Sequence, residues 1–100
     1  MTLSEWLDRH TAAAPAALRD RVRQHAVAVR AEASIPATLA TAGAQALSGV
    51  VAHPGDRSVA LDLLAADALI TLALLAQAEL APAALGAFAT SLLQTSRPGT

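Results

Sequence analysis

The first residues carry a helix signal in both their capping pattern and their apolar positions. Thr2 and Glu5 have the spacing of a capping box, in which each side chain accepts a hydrogen bond from the backbone of the other residue. One face of the helix that follows carries Leu3, Trp6, Leu7 and His10. The pattern predicts a short first helix that docks on the rest of the protein as a lid.

A second amphipathic segment runs from about Pro15 to Glu32. Its apolar stripe, at spacings of four, three and four residues, consists of Leu18, Val22, His25 and Val29. This spacing is typical of a helix with one buried stripe, and the other faces of the segment are strongly charged. We therefore expect a helix that packs along that stripe.

A third segment, from about Pro36 to Ala52, has two different stripes. The positions expected to face inward are Leu39, Gly43, Leu47 and Val50. A second stripe is polar but uncharged and consists of Thr38, Thr41, Gln45 and Ser48. The segment predicts a helix with one packed face and one smooth, neutral face.

The most apolar segment lies between residues 57 and 80. Asp56, in the turn before it, is a good N-cap because its carboxylate can accept hydrogen bonds from the first backbone amides. Leucine, isoleucine or valine occurs at most angles around this segment, which is typical of a helix surrounded on nearly all sides. Pro82 ends or kinks the helix. A fifth segment, to about residue 94, places on one face Leu85, Phe88, Ala89 and Leu92.

These segments predict an all-α fold, a small four- to five-helix bundle, orthogonal or up-down, around a central apolar helix over about 57–80. One hundred residues are enough for one hydrophobic core. We therefore expect a single domain over 1–94 and a flexible tail over 95–100. Many of the apolar residues are alanine, 27 in all, which favours helix but adds little burial per side chain.

Composition and charge narrow the classes of partner. A net charge of -1 offers no field that would attract phosphate backbones or anionic lipid, so we expect no nucleic-acid and no membrane partner. Asp62 and Asp67 interrupt the most membrane-like stretch, 59–76, and their insertion cost outweighs the gain from its leucines and isoleucine. The chain has no cysteine and begins without a signal-peptide pattern, which indicates a cytoplasmic protein. Its seven basic residues are all arginine, which, with the alanine excess, indicates a GC-rich bacterial genome.

Two stretches of the chain have no charged residue, one between Glu32 and Asp56 and one between Glu79 and Arg97. Helices three and five therefore lack the charges that an exposed face usually carries, and their small residues would let another helix approach closely. The hypothesis is an interface with a second copy or another protein, formed by Thr38, Thr41, Gln45, Ser48, Leu85 and Phe88. The alternative is that these are alanine-rich outer faces of a monomer.

Asp62 and Asp67 lie in the most apolar helix, where a carboxylate must be paired or hydrogen-bonded. Five positions apart, they diverge by about 140° around the helix axis, so they form neither a carboxylate dyad nor a metal pair on one face. The expected ion-pair partners share one face of helix two and are Arg19, Arg23 and Arg30. A ligand-binding or catalytic role of the aspartates is the alternative.

The histidines are the groups that titrate near neutrality without perturbation, and none has a partner at metal-ligand spacing. His25 interrupts an apolar stripe and is expected to be a core histidine, His10 ends a helix where a cation suits the dipole, and His53 precedes a turn. If His10 and His25 met near Asp67, a small site would exist. The candidate ligand-binding residues are therefore Asp62, Asp67, His25 and His10, with no metal and no cofactor expected.

The stretch Ala60-Leu61-Asp62-Leu63-Leu64-Ala65-Ala66-Asp67-Ala68-Leu69-Ile70 resembles a helix of the polyprenyl synthases, in which an aspartate lies among leucines and alanines. The resemblance covers about a tenth of the chain. The aspartate-rich motifs with which that family holds magnesium and diphosphate are absent, and the chain is too short for the all-helical cavity of the family. The resemblance implies no function and no site residue for this chain.

Two functions remain open from the sequence. The first is a non-enzymatic helical interaction or assembly module, acting as a homodimer or an accessory subunit. The second is a small-molecule binding or enzymatic bundle with a pocket at Asp62 or Asp67. No motif specifies a reaction, so the first is the expectation.

Overall fold

A computed structural model describes residues 1–32, 34–52 and 57–95, and within them the chain is helical without a strand. This confirms the predicted all-α bundle. The elements in chain order are α1 (Leu3–His10), α2 (Ala16–Ala28), α3 (Ile35–Ala52), α4 (Arg57–Leu80), a 3₁₀ turn (Pro82–Ala84) and α5 (Leu85–Thr95). His53 and residues 96–100 of the predicted tail lie outside the described residues.

The capping box at the start of α1 forms as predicted. The Glu5 amide donates to Thr2 Oγ1 at 3.1 Å, and the Thr2 amide donates to Glu5 Oε2 at 3.4 Å. Trp6 and Leu7 of this helix are almost completely buried in the core. Thr11 is the C-cap of the helix, and both its backbone amide, at 2.9 Å, and its hydroxyl, at 2.6 Å, donate to the Leu7 carbonyl.

Helix α2 is shorter than its pattern predicts. It ends at Ala28, and Val29 is extended with a ψ of 153°. The Glu32 amide donates to Thr38 Oγ1 at 2.9 Å, which ties the connecting segment to the first turns of α3 instead of continuing α2. Val29 still packs against the core, as the apolar stripe required.

Helices α3 and α4 form the most extensive helix pair of the bundle. A Cβ built on Gly43 would lie 2.7 Å from Ile70 Cδ1 and 3.3 Å from Leu69 Cβ, so the missing side chain lets the two helices approach closely. Helix α4 also packs on α2, on α5 and on the 3₁₀ turn. It is therefore the central helix, as predicted.

The surroundings of α4 differ from the prediction, because one side of the helix faces solvent. The residues of α4 that are at most 3% exposed are mainly alanines, namely Ala65, Ala66, Leu69, Ala73 and Ala76. Leu63, Leu64 and Leu75 on the other side are 49%, 57% and 41% exposed. Small side chains fill the close packing with α2 and α3, and the neighbouring helices cover only part of the circumference.

Two helical segments are long and apolar enough to cross a membrane, judged by length and composition. They are Ile35–Ala52 and Ser58–Leu80, with mean hydropathies of 1.3 and 2.1. In each, 33% of the tested residues are buried inside the protein. The core helix of a soluble protein meets the same criteria, so the absence of a membrane partner stays a prediction.

Candidate functional site

The strongest polar cluster joins α2 to the first half of α4. Asp62 Oδ1 accepts a hydrogen bond from Arg21 Nη1 at 2.9 Å and lies 3.0 Å from His25 Nε2. Arg21 and His25 are four residues apart, so they lie one above the other on the same side of α2. The three side chains are between 24% and 29% exposed, which places the cluster at the edge of the core rather than inside it.

The cluster stabilises the charged form of its carboxylate. The pKa of Asp62 lies below its usual value, first because the carboxylate accepts the hydrogen bond from His25, and further because of the charge and hydrogen bond of Arg21. Partial burial of the carboxylate acts in the opposite direction and is outweighed. The arrangement is that of a structural ion pair with a histidine donor, since the carboxylate is already engaged by two groups of the protein.

The arginine in this cluster is not one of the three that the sequence indicated. At about 100° per residue, Arg21 lies about 40° from His25 around α2, whereas Arg23 lies about 160° away. Arg23 therefore faces α1, where it binds Asp8 and donates to Ser4 Oγ at 3.0 Å. Arg19 and Arg30 make no ion pair within the part of the chain that the structure describes.

A second histidine contact lies at the other end of α4. The His10 ring stacks on Trp6 with ring centroids 3.9 Å apart and an interplanar angle of 13°. His10 Nδ1 lies 2.9 Å from the Trp6 carbonyl oxygen, and Nε2 lies 2.8 Å from Glu79 Oε1. Sequence reasoning missed Glu79, because nothing in the spacing indicates that the ends of α1 and α4 meet.

Asp67 is exposed and has no ion pair among the described residues, so the expected arginine partner is wrong for this aspartate. It lies at the rim of an apolar groove of about 210 Å³ between α3 and α4. The groove is lined by Gly43, Leu47, Leu63, Ala66, Asp67 and Ile70. Exposure to solvent, rather than a partner, satisfies this carboxylate.

The four candidate ligand-binding residues do not form one site. Asp62 and His25 meet, but His10 contacts Glu79, which is 17 residues beyond Asp62, or about 25 Å along a helix at 1.5 Å per residue. Within residues 1–32, 34–52 and 57–95 there is no group of three or more histidine and carboxylate side chains that could hold a metal ion. The pocket imagined between His10, His25 and Asp67 is therefore not formed.

The predicted interface residues fall into three environments. Thr38 is buried, donates to the Ser34 carbonyl at 3.0 Å and accepts from the Glu32 amide, so it cannot contact a partner and this part of the prediction is wrong. The half-buried members are Thr41, Leu85 and Phe88. The exposed members are Gln45 and Ser48.

A different apolar surface is exposed instead, which we call the apolar face and define by Leu63, Ile70, Leu74 and Leu93. Leu93 of α5 is 75% exposed. It lines a second groove, together with Ile70, Leu74, Ala89 and Leu92. Ile70 also lines the α3/α4 groove, so the two grooves are continuous across this side of the molecule. This face could not be predicted from the sequence, because the apolar pattern of α4 indicates a helix whose leucines are buried.

Comparison of the chain with protein-family models, with curated proteins and with solved structures finds no match. The candidate function therefore depends on the geometry of the chain itself.

Proposed function

We propose that this chain is a non-enzymatic assembly module that associates with a second copy of itself through the apolar face. The observation that carries the proposal is the exposure of Leu63 of α4 and Leu93 of α5, each at a groove that Ile70 also lines. Full burial of a leucine side chain is worth about 1.5–3 kcal/mol, so covering several of them at once supplies a substantial driving force for association.

The shape of the apolar face supports pairing with an identical surface. The face combines exposed side chains, Leu63 and Leu93, with the two grooves that share Ile70 as a lining residue. A two-fold symmetric dimer needs a patch that is complementary to itself, and ridges beside grooves on one face meet that requirement.

The low charge of this surface also supports a second copy of the chain as the partner. The two grooves have one charged lining residue, Asp67, among the described residues. Helices α3 and α5 contain no charged residue over Ile35–Ala52 and Leu85–Thr95. A surface with so little charge does not select a strongly charged partner, and it suits a second neutral surface of the same kind.

The small-molecule alternative has less support from the geometry. The α3/α4 groove, which Asp67 lines, has a volume of about 210 Å³, below the about 300–1,000 Å³ typical of ligand pockets. The second groove, of about 400 Å³, is lined among the described residues only by apolar side chains and has no polar side chain there to orient a ligand. Asp67 has no histidine or arginine partner in the described part of the chain. Asp62, the other candidate, is occupied by Arg21 and His25.

Light scattering coupled to size exclusion, at micromolar concentrations, tests the proposal. We expect a mass of twice 10.1 kDa for the natural chain and of 10.1 kDa for the double variant Leu63→Gln, Leu93→Gln. Val27→Gln is the matched control, because Val27 is 73% exposed on α2, outside the apolar face, and this variant should remain dimeric.

Three outcomes would contradict the proposal. A natural chain that stays monomeric over the concentration range removes the dimer, and a Val27→Gln variant that also becomes monomeric removes the assigned face. Co-sedimentation with vesicles of neutral phospholipid, lost in the Leu63/Leu93 double variant, would show that lipid covers the leucines instead.

A further inference from the structure

Helix α1 reaches the end of α4 through one polar contact, that of His10 with Glu79. His10 is mostly buried and Glu79 is about half-exposed. Few Cα atoms of α1 come close to those of another helix, so its docking depends on side chains: the buried Trp6 and Leu7, the contact of His10 with Glu79, and the contacts of Asp8 and Ser4 with Arg23. The contact between His10 and Glu79 therefore contributes to keeping α1 packed on the bundle.

The hydrogen-bonding atoms of this contact require a defined number of protons. The Trp6 carbonyl only accepts, so the 2.9 Å contact needs a proton on His10 Nδ1. The Glu79 carboxylate only accepts when ionised, so the 2.8 Å contact needs a second proton, between Nε2 and Oε1. Whether that proton resides on the ring or on the carboxyl, the pair has one proton more than a neutral histidine and an ionised glutamate.

Loss of that proton turns an attractive contact into a repulsive one. With Nδ1 still bonded to the Trp6 carbonyl, the neutral ring would present the Nε2 lone pair to a carboxylate oxygen. The ring cannot move its remaining proton to Nε2 without giving up the carbonyl.

The other charged groups near α1 do not replace the lost proton. From α2, Arg23 is engaged by Asp8 and Ser4. Within α1, Glu5 is held in the capping box. From α4, Glu79 is the titratable group that contacts His10 among the described residues. Arg9, the adjacent residue, is exposed and makes no ion pair in the described part of the chain.

We propose that His10 and Glu79 form a proton-operated clasp that holds α1 on the bundle while the additional proton is bound and loosens it when that proton is lost. The stabilisation requires the bound proton, so it is present at low pH and is lost as the pH increases. Trp6 lies beneath the clasp with its Nε1 buried and without a hydrogen-bond partner among the described residues. That unpaired donor opposes docking, so α1 opens more readily than a fully satisfied helix would.

Amide hydrogen exchange of α1, expressed as protection factors, measures the opening directly. Because half-exposed ion pairs are weak, we expect the protection factors to fall by about 1.4- to 5-fold between about pH 5.5 and pH 8.5. Acrylamide quenching of Trp6, the single tryptophan, should increase over the same range. The amides of α3 should show no such change.

Glu79→Gln is the decisive variant, because an amide can accept from a protonated Nε2 or donate to an unprotonated one. Its α1 protection factors should be independent of pH. Glu32→Gln, on another exposed glutamate, and His25→Gln, at the other histidine contact, are matched controls that should keep the natural pH dependence. The proposal is overturned if the α1 protection factors of the natural chain do not change with pH. It is also overturned if the protection factors of Glu79→Gln still fall as the pH rises.

Discussion

Two carboxylates of α4, Asp62 in its first half and Glu79 at its end, each contact a histidine of another helix. The two contacts differ in the number of protons that they need. His10 has both ring nitrogens opposite acceptor oxygens, so its contact with Glu79 needs an additional proton. His25 contacts Asp62 through Nε2, and its Nδ1 has no hydrogen bond within the described residues. The neutral His25 ring can therefore place its one proton on Nε2 and keep the contact.

Arg21 adds the second difference between the two contacts. It supplies a permanent positive charge and a hydrogen bond to Asp62 at 2.9 Å, whereas Glu79 has no arginine partner in the described part of the chain. A histidine and a carboxylate in contact are thus not by themselves a pH-dependent device. Two features decide whether such a contact depends on pH: whether the second ring nitrogen of the histidine is also hydrogen-bonded, and whether a permanent cation contacts the carboxylate.

Asp62→Asn should have the largest effect on stability, because it removes the charge that both Arg21 and His25 contact. Breaking a fully buried pair costs about 3–5 kcal/mol, but these side chains are about a quarter exposed, so we expect a loss of about 1–2 kcal/mol at pH 7. Urea unfolding followed by circular dichroism measures this loss. An unchanged midpoint would show that the cluster is energetically neutral.

The same variant has a defined pH dependence. The pKa of Asp62 is lower in the folded protein than its usual 3.8, so its contribution is present above that value and decreases as the pH falls below it. The difference between the natural chain and Asp62→Asn should therefore narrow in acid. A difference that widens in acid would contradict the direction of the pKa shift.

Arg21→Gln should have an intermediate effect, of about 0.5–1 kcal/mol, since a partly exposed ion pair is lost while the His25 contact remains. Arg19→Gln is the matched control, because Arg19 lies on the same helix without an ion pair among the described residues, and it should change the free energy of unfolding by less than about 0.5 kcal/mol. Equal losses in the two variants would mean that the pairing with Asp62 contributes nothing.

Much of the fold was predictable from local signals. The capping box of Thr2 and Glu5 and the bounds of α4 at Arg57 and Leu80 follow from short-range pattern, and both are confirmed. The central position of α4 follows from its apolar composition and is confirmed by its packing on α2, α3 and α5. These features depend on residues within a few turns of one another.

The parts that could not be predicted depend on how far helices approach and rotate. Arg21, not Arg23, pairs with Asp62, because the two arginines lie on opposite sides of α2 and face different helices, α4 and α1. The apolar stripe shows which side of α2 is buried, but not which helix lies beside each flank. Leu64 of α4 is exposed because alanines, not leucines, occupy most of the buried positions of the helix. Hydrophobic residues all around a helix show that it is apolar, not which side is covered.

Asp67→Asn should have the smallest effect of these variants on the free energy of unfolding, and it extends the comparison to a carboxylate without a partner. Asp67 is the third carboxylate on α4 with a defined position, exposed and without the histidine or arginine partners of the other two. We expect its free energy of unfolding to change by less than about 0.5 kcal/mol, against a several-fold larger loss for Asp62→Asn on the same helix. Urea unfolding of the two variants in parallel checks this, and equal losses would mean that position on α4, not the partners, determines what a carboxylate contributes.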